Sequence, residues 1–232
     1  GRWYTYDDIK IEKEGESSSQ VSYELIAYVS NINIGDRYCE ENISKSRVRL
    51  ARTGLFSSFN LPPEKIDSLS SKARLIIKGT VGSLNELSPE VFADNEFNYF
   101  NVGIGASYTR KNFLGDARKL TIRARFRIND VTGIRFDSDL FKETFQTEVD
   151  LYGILEQPFL FSRKVAGRLE GYLKSYNISS VDYENFGANF IAAVDMPTYT
   201  FINLFNPYLR FDRLNYSIPA IEFEGDTVTV RP

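Results

Sequence analysis

The chain has 232 residues, with 28 Lys and Arg against 31 Asp and Glu and a formal net charge of −3, so it offers no basic face for general nucleic-acid binding. Histidine is absent and Cys39 is the one cysteine, which removes the commonest general base, multi-cysteine zinc sites and any internal disulfide. No apolar run approaches the ~20 residues of a membrane-spanning helix, no signal peptide opens the chain, and Gly1 in place of an initiating Met points to processing or trimming.

Residues 1–88 carry a β-α-α-β-β pattern. A strand rich in Tyr4, Tyr6, Ile9 and Ile11 ends near Gly15, and Ser17 to Ser19 offer capping hydroxyls to a first helix. Val21, Leu25, Tyr28, Val29 and Ile32 follow at helical spacing, with Gly35 as terminator. A second helix, about Glu40 to Thr53, carries Ile43, Val48, Leu50 and Ala51 and stops at Gly54. A strand from Leu55 to Leu61 is closed by Pro62-Pro63, which cannot continue a central ladder, and Lys72 to Val81 reads as the last strand.

The run Ser44 to Leu61, SKSRVRLARTGLFSSFNL, resembles the polypeptide-transport-associated (POTRA) domain. In that family a helix ends in a Leu-x-x-Thr-Gly-Leu-Phe type turn and enters the second strand. Here the turn is Leu50-Ala51-Arg52-Thr53-Gly54-Leu55-Phe56, with Gly54 as the structural pivot. The resemblance implies that 1–88 is an α+β POTRA-like domain.

Gly82 to Asn95 is punctuated by Gly82 and Pro89 and has no clear period, so it reads as connecting chain, with 89–96 as the interdomain linker. From residue 97 the period becomes two. Phe100, Val102, Ile104, Ala106 and Tyr108 share one face, with Asn101, Gly103, Gly105, Ser107 and Thr109 opposite. After a turn at Asn112-Phe113-Leu114-Gly115, Leu120, Ile122, Ala124, Phe126 and Ile128 alternate with Lys119, Thr121, Arg123, Arg125 and Arg127. These two runs predict an antiparallel hairpin with one oily side and one wet side.

Asn129 to Leu140 is polar and suits a loop, and Glu143 to Glu156 alternates again, with Glu148 and Asp150 on the polar face. Pro158-Phe159-Leu160-Phe161 is a turn flanked by aromatics. Val165 to Tyr176, Asn185 to Val194, and Thr200 to Tyr216 with a break at Pro207 complete about six strands, each near the ~9–11 residues of a tilted bilayer crossing. Arg123, Arg125 and Arg127 stand across from Gln146, Glu148 and Asp150, a favourable cross-strand complement. Three arginines cannot enter a dry core without heavy desolvation cost, so their face must be wet. The oily face is then covered either by lipid, in a membrane barrel, or by another layer, in a soluble β-sandwich.

Phe97 to Phe126, FNYFNVGIGASYTRKNFLGDARKLTIRARF, resembles the first barrel hairpin of the outer-membrane β-barrel assembly factors of the BamA and TamA type. There a Gly-rich first strand ends in an Asn-Phe/Leu-Leu-Gly turn, matched by Asn112-Phe113-Leu114-Gly115, and Pro158-Phe159-Leu160-Phe161 is similar to the aromatic turn after the third strand. With the POTRA-like stretch, the resemblance covers about residues 1–176. It implies a POTRA domain followed by an all-β antiparallel meander, 97–232, that forms an incomplete transmembrane β-barrel. It implies an outer membrane of the Gram-negative type, with the N-terminal domain in the periplasm. Client outer-membrane or secreted polypeptides and outer-membrane lipid are the implied partners, without nucleic acid, cofactor or metal.

In that family the first barrel strand forms a lateral gate that templates client strands by β-augmentation. The resemblance places Tyr99, Asn101, Gly103 and Gly105 in that seam. The competing reading of Gly103 and Gly105 is that they make room for lumen side chains or bend the sheet. Likewise Arg123, Arg125, Arg127, Glu148 and Asp150 either tune anion passage or hold the lumen together by ion pairs. Asn112, Gly115, Pro158 and Phe159 read as structural turn residues.

A closed barrel needs ~8 strands or more. About six predict a fragment whose sheet stays open or pairs with another chain, and the family's Arg-Gly-Phe/Tyr loop motif is missing. The alternatives are a two-partner-secretion or porin-like transport barrel, or a soluble β-rich interaction protein. An enzyme is not expected: Gly103-Ile104-Gly105-Ala106-Ser107 lacks the lysine and the following helix of a phosphate loop, and Cys39 has no histidine to activate it.

Overall fold

The computed structural model describes residues 3–65, 71–96, 99–129, 131, 146–178, 181–196, 204–217, 220–224 and 227–231. The N-terminal part is an α/β module. Strand β1 (Thr5–Glu14) lies parallel to β4 (Lys72–Val81), which also pairs antiparallel with β2 (Phe56–Asn60) and β3 (Pro63–Lys65). The last strand is thus the middle one, and every second residue of β4 (Ala73, Leu75, Ile77) is buried beneath the helices.

Helix α1 (Tyr23–Ser30) begins later than its serine run predicts. Ser18–Gln20 form a single 3-10 turn, and the working cap is Ser22, whose hydroxyl accepts from Leu25 N at 3.1 Å. It ends at Asn31 in the left-handed region, φ 52°, four residues before Gly35. Helix α2 (Glu40–Thr53) ends at Gly54, φ 66°, where glycine meets no steric penalty. The expected close at Pro62-Pro63 is only a pause, because Pro63 opens β3 on the sheet's edge, where a missing N–H costs nothing.

The second sheet is an antiparallel meander of eight strands: β5 (Asn85–Glu96), β6 (Tyr99–Arg110), β7 (Lys119–Ile128), β8 (Thr147–Gln157), β9 (Val165–Ile178), β10 (Val181–Asp195), β11 (Leu204–Phe205) and β12 (Tyr208–Ser217). Both β11 and β12 pair with β10, on either side of Pro207. Among the described residues no ladder joins β5 to β12, so the sheet is open. A separate hairpin, β13 (Ala220–Glu224) and β14 (Thr227–Arg231), follows. The expected strand starts at Glu143 and Thr200 lie outside the described residues.

The stretch 89–96 is not a linker. It is the greater part of β5, which pairs with β6 over its whole length, from Asn85↔Arg110 to Glu96↔Tyr99. Pro89 breaks a central ladder but is tolerated on an edge strand, where only one side needs partners. The second sheet therefore begins at Asn85, inside the 1–88 segment assigned to the first domain.

The two parts share a core. Ala117 and Phe159, from the turns after β6 and β8, are buried in the module's apolar cluster with Val29, Leu50 and Leu84. Phe159 meets Tyr28 edge to face at 6.2 Å, and Arg163 Nε donates to Tyr28 O at 2.7 Å. Arg52 at the end of α2 pairs with Asp195 at 2.8 Å.

Candidate functional site

The meander is inverted relative to a soluble sheet. On its outward face Val91 is 80 % exposed and Ile104 59 %. Phe100, Tyr108, Ile122, Phe126, Leu151, Leu169 and Leu173 are exposed beside them, while Asn101 on the opposite face is 4 % exposed. The register carries this stripe from strand to strand, as in Val91↔Ile104↔Phe126 and Leu151↔Leu173. Among the described residues no second layer covers it.

The sheltered face is built from charge and tyrosine. Arg125 and Glu90 form a bidentate pair, Nε to Oε1 at 2.8 Å and Nη2 to Oε2 at 3.1 Å. Arg127 lies 3.5 Å from Asp94 and 3.4 Å from Glu148. The guanidinium groups of both arginines sit over the Phe92 ring, 5.7 and 5.5 Å from its centroid. Further along, Tyr176 stacks on Tyr183 at 4.6 Å, and Lys174 stands over Tyr152 and Tyr172.

The register opposes Arg127 to Glu148 and Arg125 to Asp150, in keeping with the complement read from sequence. Arg125 nonetheless turns to Glu90. Asp150 lies between Arg125 and Lys174 in register, and its buried Oδ1 has no hydrogen-bond partner among the described residues. Arg123 faces Ser107 and Tyr152 and makes no ion pair within 4 Å among the described residues.

Glu90, Phe92 and Asp94 escaped the sequence reading. Their signal was there, because Glu86, Ser88, Glu90, Phe92 and Asp94 alternate with Leu87, Val91 and Ala93, interrupted only by Pro89.

Gly103 and Gly105 sit under these side chains. In register Phe92 opposes Gly103 and Glu90 opposes Gly105, and the next strand places Arg127 and Arg125 beyond them. A β-carbon at Gly105 would fall 2.9 Å from Glu90 Cγ and from Ala124 O, and one at Gly103 would enter the Phe92 ring and fall 2.7 Å from Phe126 O. Of the two readings open for these glycines, the geometry favours the one in which they make room. The seam assignment changes too: Tyr99, Asn101, Gly103 and Gly105 lie on β6, where Gly103 and Gly105 are paired with both β5 and β7 and Tyr99 and Asn101 with β5, and the edge belongs to β5.

The turn residues hold the module to the sheet. Asn112, Leu114, Asp116 and Ala117 all adopt positive φ between 55° and 57°, and Gly115 adopts 84°. Asn112 braces this turn by accepting from Ala117 N at 3.1 Å and donating to Gln20 O of the module at 2.7 Å. Phe113 N bonds Arg118 O at 2.8 Å, and Leu114 is exposed. Pro158 opens the turn that carries the buried Phe159.

No family model matches the chain, and no curated protein does. Among solved structures the chain is similar to BamA from Haemophilus ducreyi lacking POTRA domains 1–3, with 12 % identity and a TM-score of 0.39 over 88 % of this chain. It is also similar to CdiB from Acinetobacter baumannii, with 10 % identity and a TM-score of 0.43 over 95 % of this chain. The chain spans 48 % of the length of each.

Proposed function

We propose that the chain is a periplasmic POTRA-like arm joined to the opening strands of an outer-membrane β-barrel, in a protein that assembles or exports client polypeptides. The polarity of the meander carries this reading: aliphatic and aromatic side chains cover its open face, and the bidentate Arg125–Glu90 pair and the Arg127 ion pairs line its sheltered one. That arrangement is stable where hydrocarbon lies outside and water inside. A soluble sandwich needs a second layer over Val91, Ile104 and Leu173, and the described residues provide none.

In this reading the protein performs no covalent chemistry. Client strands pair with an exposed sheet edge, and that edge is β5 rather than β6. Nitroxide labels at 91, 104 and 126 in the reconstituted protein should be relaxed by oxygen, which partitions into lipid, and labels at 107 and 123 by water-soluble nickel chelate. Nickel access at the first three sites would sink the membrane assignment. Depletion of the protein should lower the levels of many outer-membrane proteins; loss of a single secreted protein instead would favour a two-partner-secretion pore.

A further inference from the structure

Beside the turn that follows β8, a groove of about 790 Å³ opens between α1, α2 and residues 161–164. Its lining holds Lys45, Arg49, Arg52, Arg163 and Lys164 against one carboxylate, Asp195. Arg52 is paired with Asp195 and Lys45 with Glu41. Arg49 instead donates to Val29 O and Ser30 O, at 3.0 and 2.8 Å, and Arg163 to Tyr28 O. Among the described residues neither of these arginines, nor Lys164, has a carboxylate within 4 Å. Burial, and then the Arg163 and Arg52 charges, hold Arg49 below the ordinary guanidinium range, so the cluster repels itself. It is short of anions.

The groove also adjoins the oily face. Leu160 lies against Gly167, on the same face as Leu169, and Phe161 beside it is 87 % exposed. Gly167 and Leu169 are two steps apart along the strand, about 7 Å. A lipid whose chains cover Leu169 and Leu173 therefore brings its headgroup to this rim, where an aromatic anchor and snorkelling cations are the usual furniture of a membrane interface.

We infer that this groove binds the phosphate of an anionic phospholipid in the leaflet facing the module, and so fixes the height and tilt of the module against the bilayer. The inference rests on the membrane reading above. Charge complementarity selects an acidic headgroup over a zwitterionic one, and the contiguous apolar face selects a lipid over a soluble phosphate.

The test uses the purified protein in mixed micelles holding equal phosphatidylglycerol and phosphatidylcholine, with bound lipid counted by native mass spectrometry. The wild type should retain phosphatidylglycerol several-fold over phosphatidylcholine. Lys45→Glu/Lys164→Glu, whose side chains make no bond to the sheet-docking surface, should bring the ratio to about 1, while Lys10→Glu on β1 should leave it unchanged. Arg163→Ala should also lower it. Equal retention by the wild type, an unchanged ratio in both groove variants, or displacement of the lipid by millimolar inorganic phosphate would overturn the inference. Flotation with pure phosphatidylcholine vesicles separates the two claims: a chain that floats without headgroup preference loses the groove alone, and one that does not float loses the membrane reading as well.

Discussion

Glu90 and Arg125 grip each other across a strand to which neither belongs. Gly105 of β6 lies between them in register, and its missing side chain leaves the corridor through which the carboxylate reaches the guanidinium. The glycines of β6 are therefore paired with particular side chains of β5 and β7, an arrangement akin to aromatic rescue of strand glycines, with Phe92 over Gly103 as the aromatic case.

Substituting Gly103 or Gly105 should accordingly destabilise the sheet rather than only stiffen it. Gly105→Val forces Glu90 aside and presses on Ala124 O, and a cost of about 1–3 kcal/mol is expected for such overpacking. Gly103→Ala should behave alike, and adding Phe92→Leu should restore only part of the loss, because the 2.7 Å approach to Phe126 O remains. Unfolding midpoints of the refolded protein in urea and lipid measure both. Full rescue by Phe92→Leu would contradict the role of the backbone approach.

The two faces should respond oppositely to charge. Ile104→Arg places a guanidinium on the exposed apolar face, where a midplane arginine costs about 2–4 kcal/mol in a barrel. Ser107→Arg, on the polar face of the same strand, should cost far less. Folding yield into vesicles, read by protease protection, distinguishes them, and equal yields would mean that the Ile104 face does not meet lipid.

Tyr6 gives a prediction in the module. Its hydroxyl is buried without a hydrogen-bond partner among the described residues, and burial, followed by the nearby Tyr38 and Glu40, pushes its pKa up to about 12. An unfolded tyrosine ionises near 10, so the folded state holds this proton more tightly. The stabilisation from this group is present in full below about pH 10 and is lost as pH rises through about 12. Tyr6→Phe should be neutral or mildly stabilising at pH 8, because it removes an unsatisfied buried hydroxyl, and should flatten the decline between pH 10 and 12. Denaturant midpoints at pH 8 and 11 give the comparison.

Asn112 should matter through the joint it braces. Asn112→Ala removes the bonds to Gln20 O and Ala117 N and puts a β-carbon without a compensating side chain at φ 57°. A loss of about 1–3 kcal/mol is expected, seen as faster amide exchange at Ala117, whose N–H loses its acceptor. Asn112→Gly, which relieves the backbone but lacks the bonds, should fall between the two.

Local pattern made much of this fold legible. Gly54 ended α2, Lys72 to Val81 read as a strand and is β4, and the run from Phe100 to Ile128 yielded both the hairpin and its faces. Failures came where tertiary context outweighed the local signal. Ser17 to Ser19 look like caps, but the chain makes a 3-10 turn before Ser22 takes that role. Pro89 punctuates a strand that an edge position lets continue, and with β5 hidden, the principal partner of Arg125 and the true edge were hidden with it. The groove beside Arg163 could not be read locally, because its cations come from residues 45 and 163, brought together only by docking.

Only residues 82–84 separate the central strand of the module from the first strand of the meander, and Leu84 among them is buried. Gly82 N is bonded to Leu55 O and Lys111 N to Leu84 O, so this short joint is fastened at both ends. The joint is a crank rather than a tether: a rocking motion of the module would be transmitted as torque onto β5, whose outer rail lies open among the described residues.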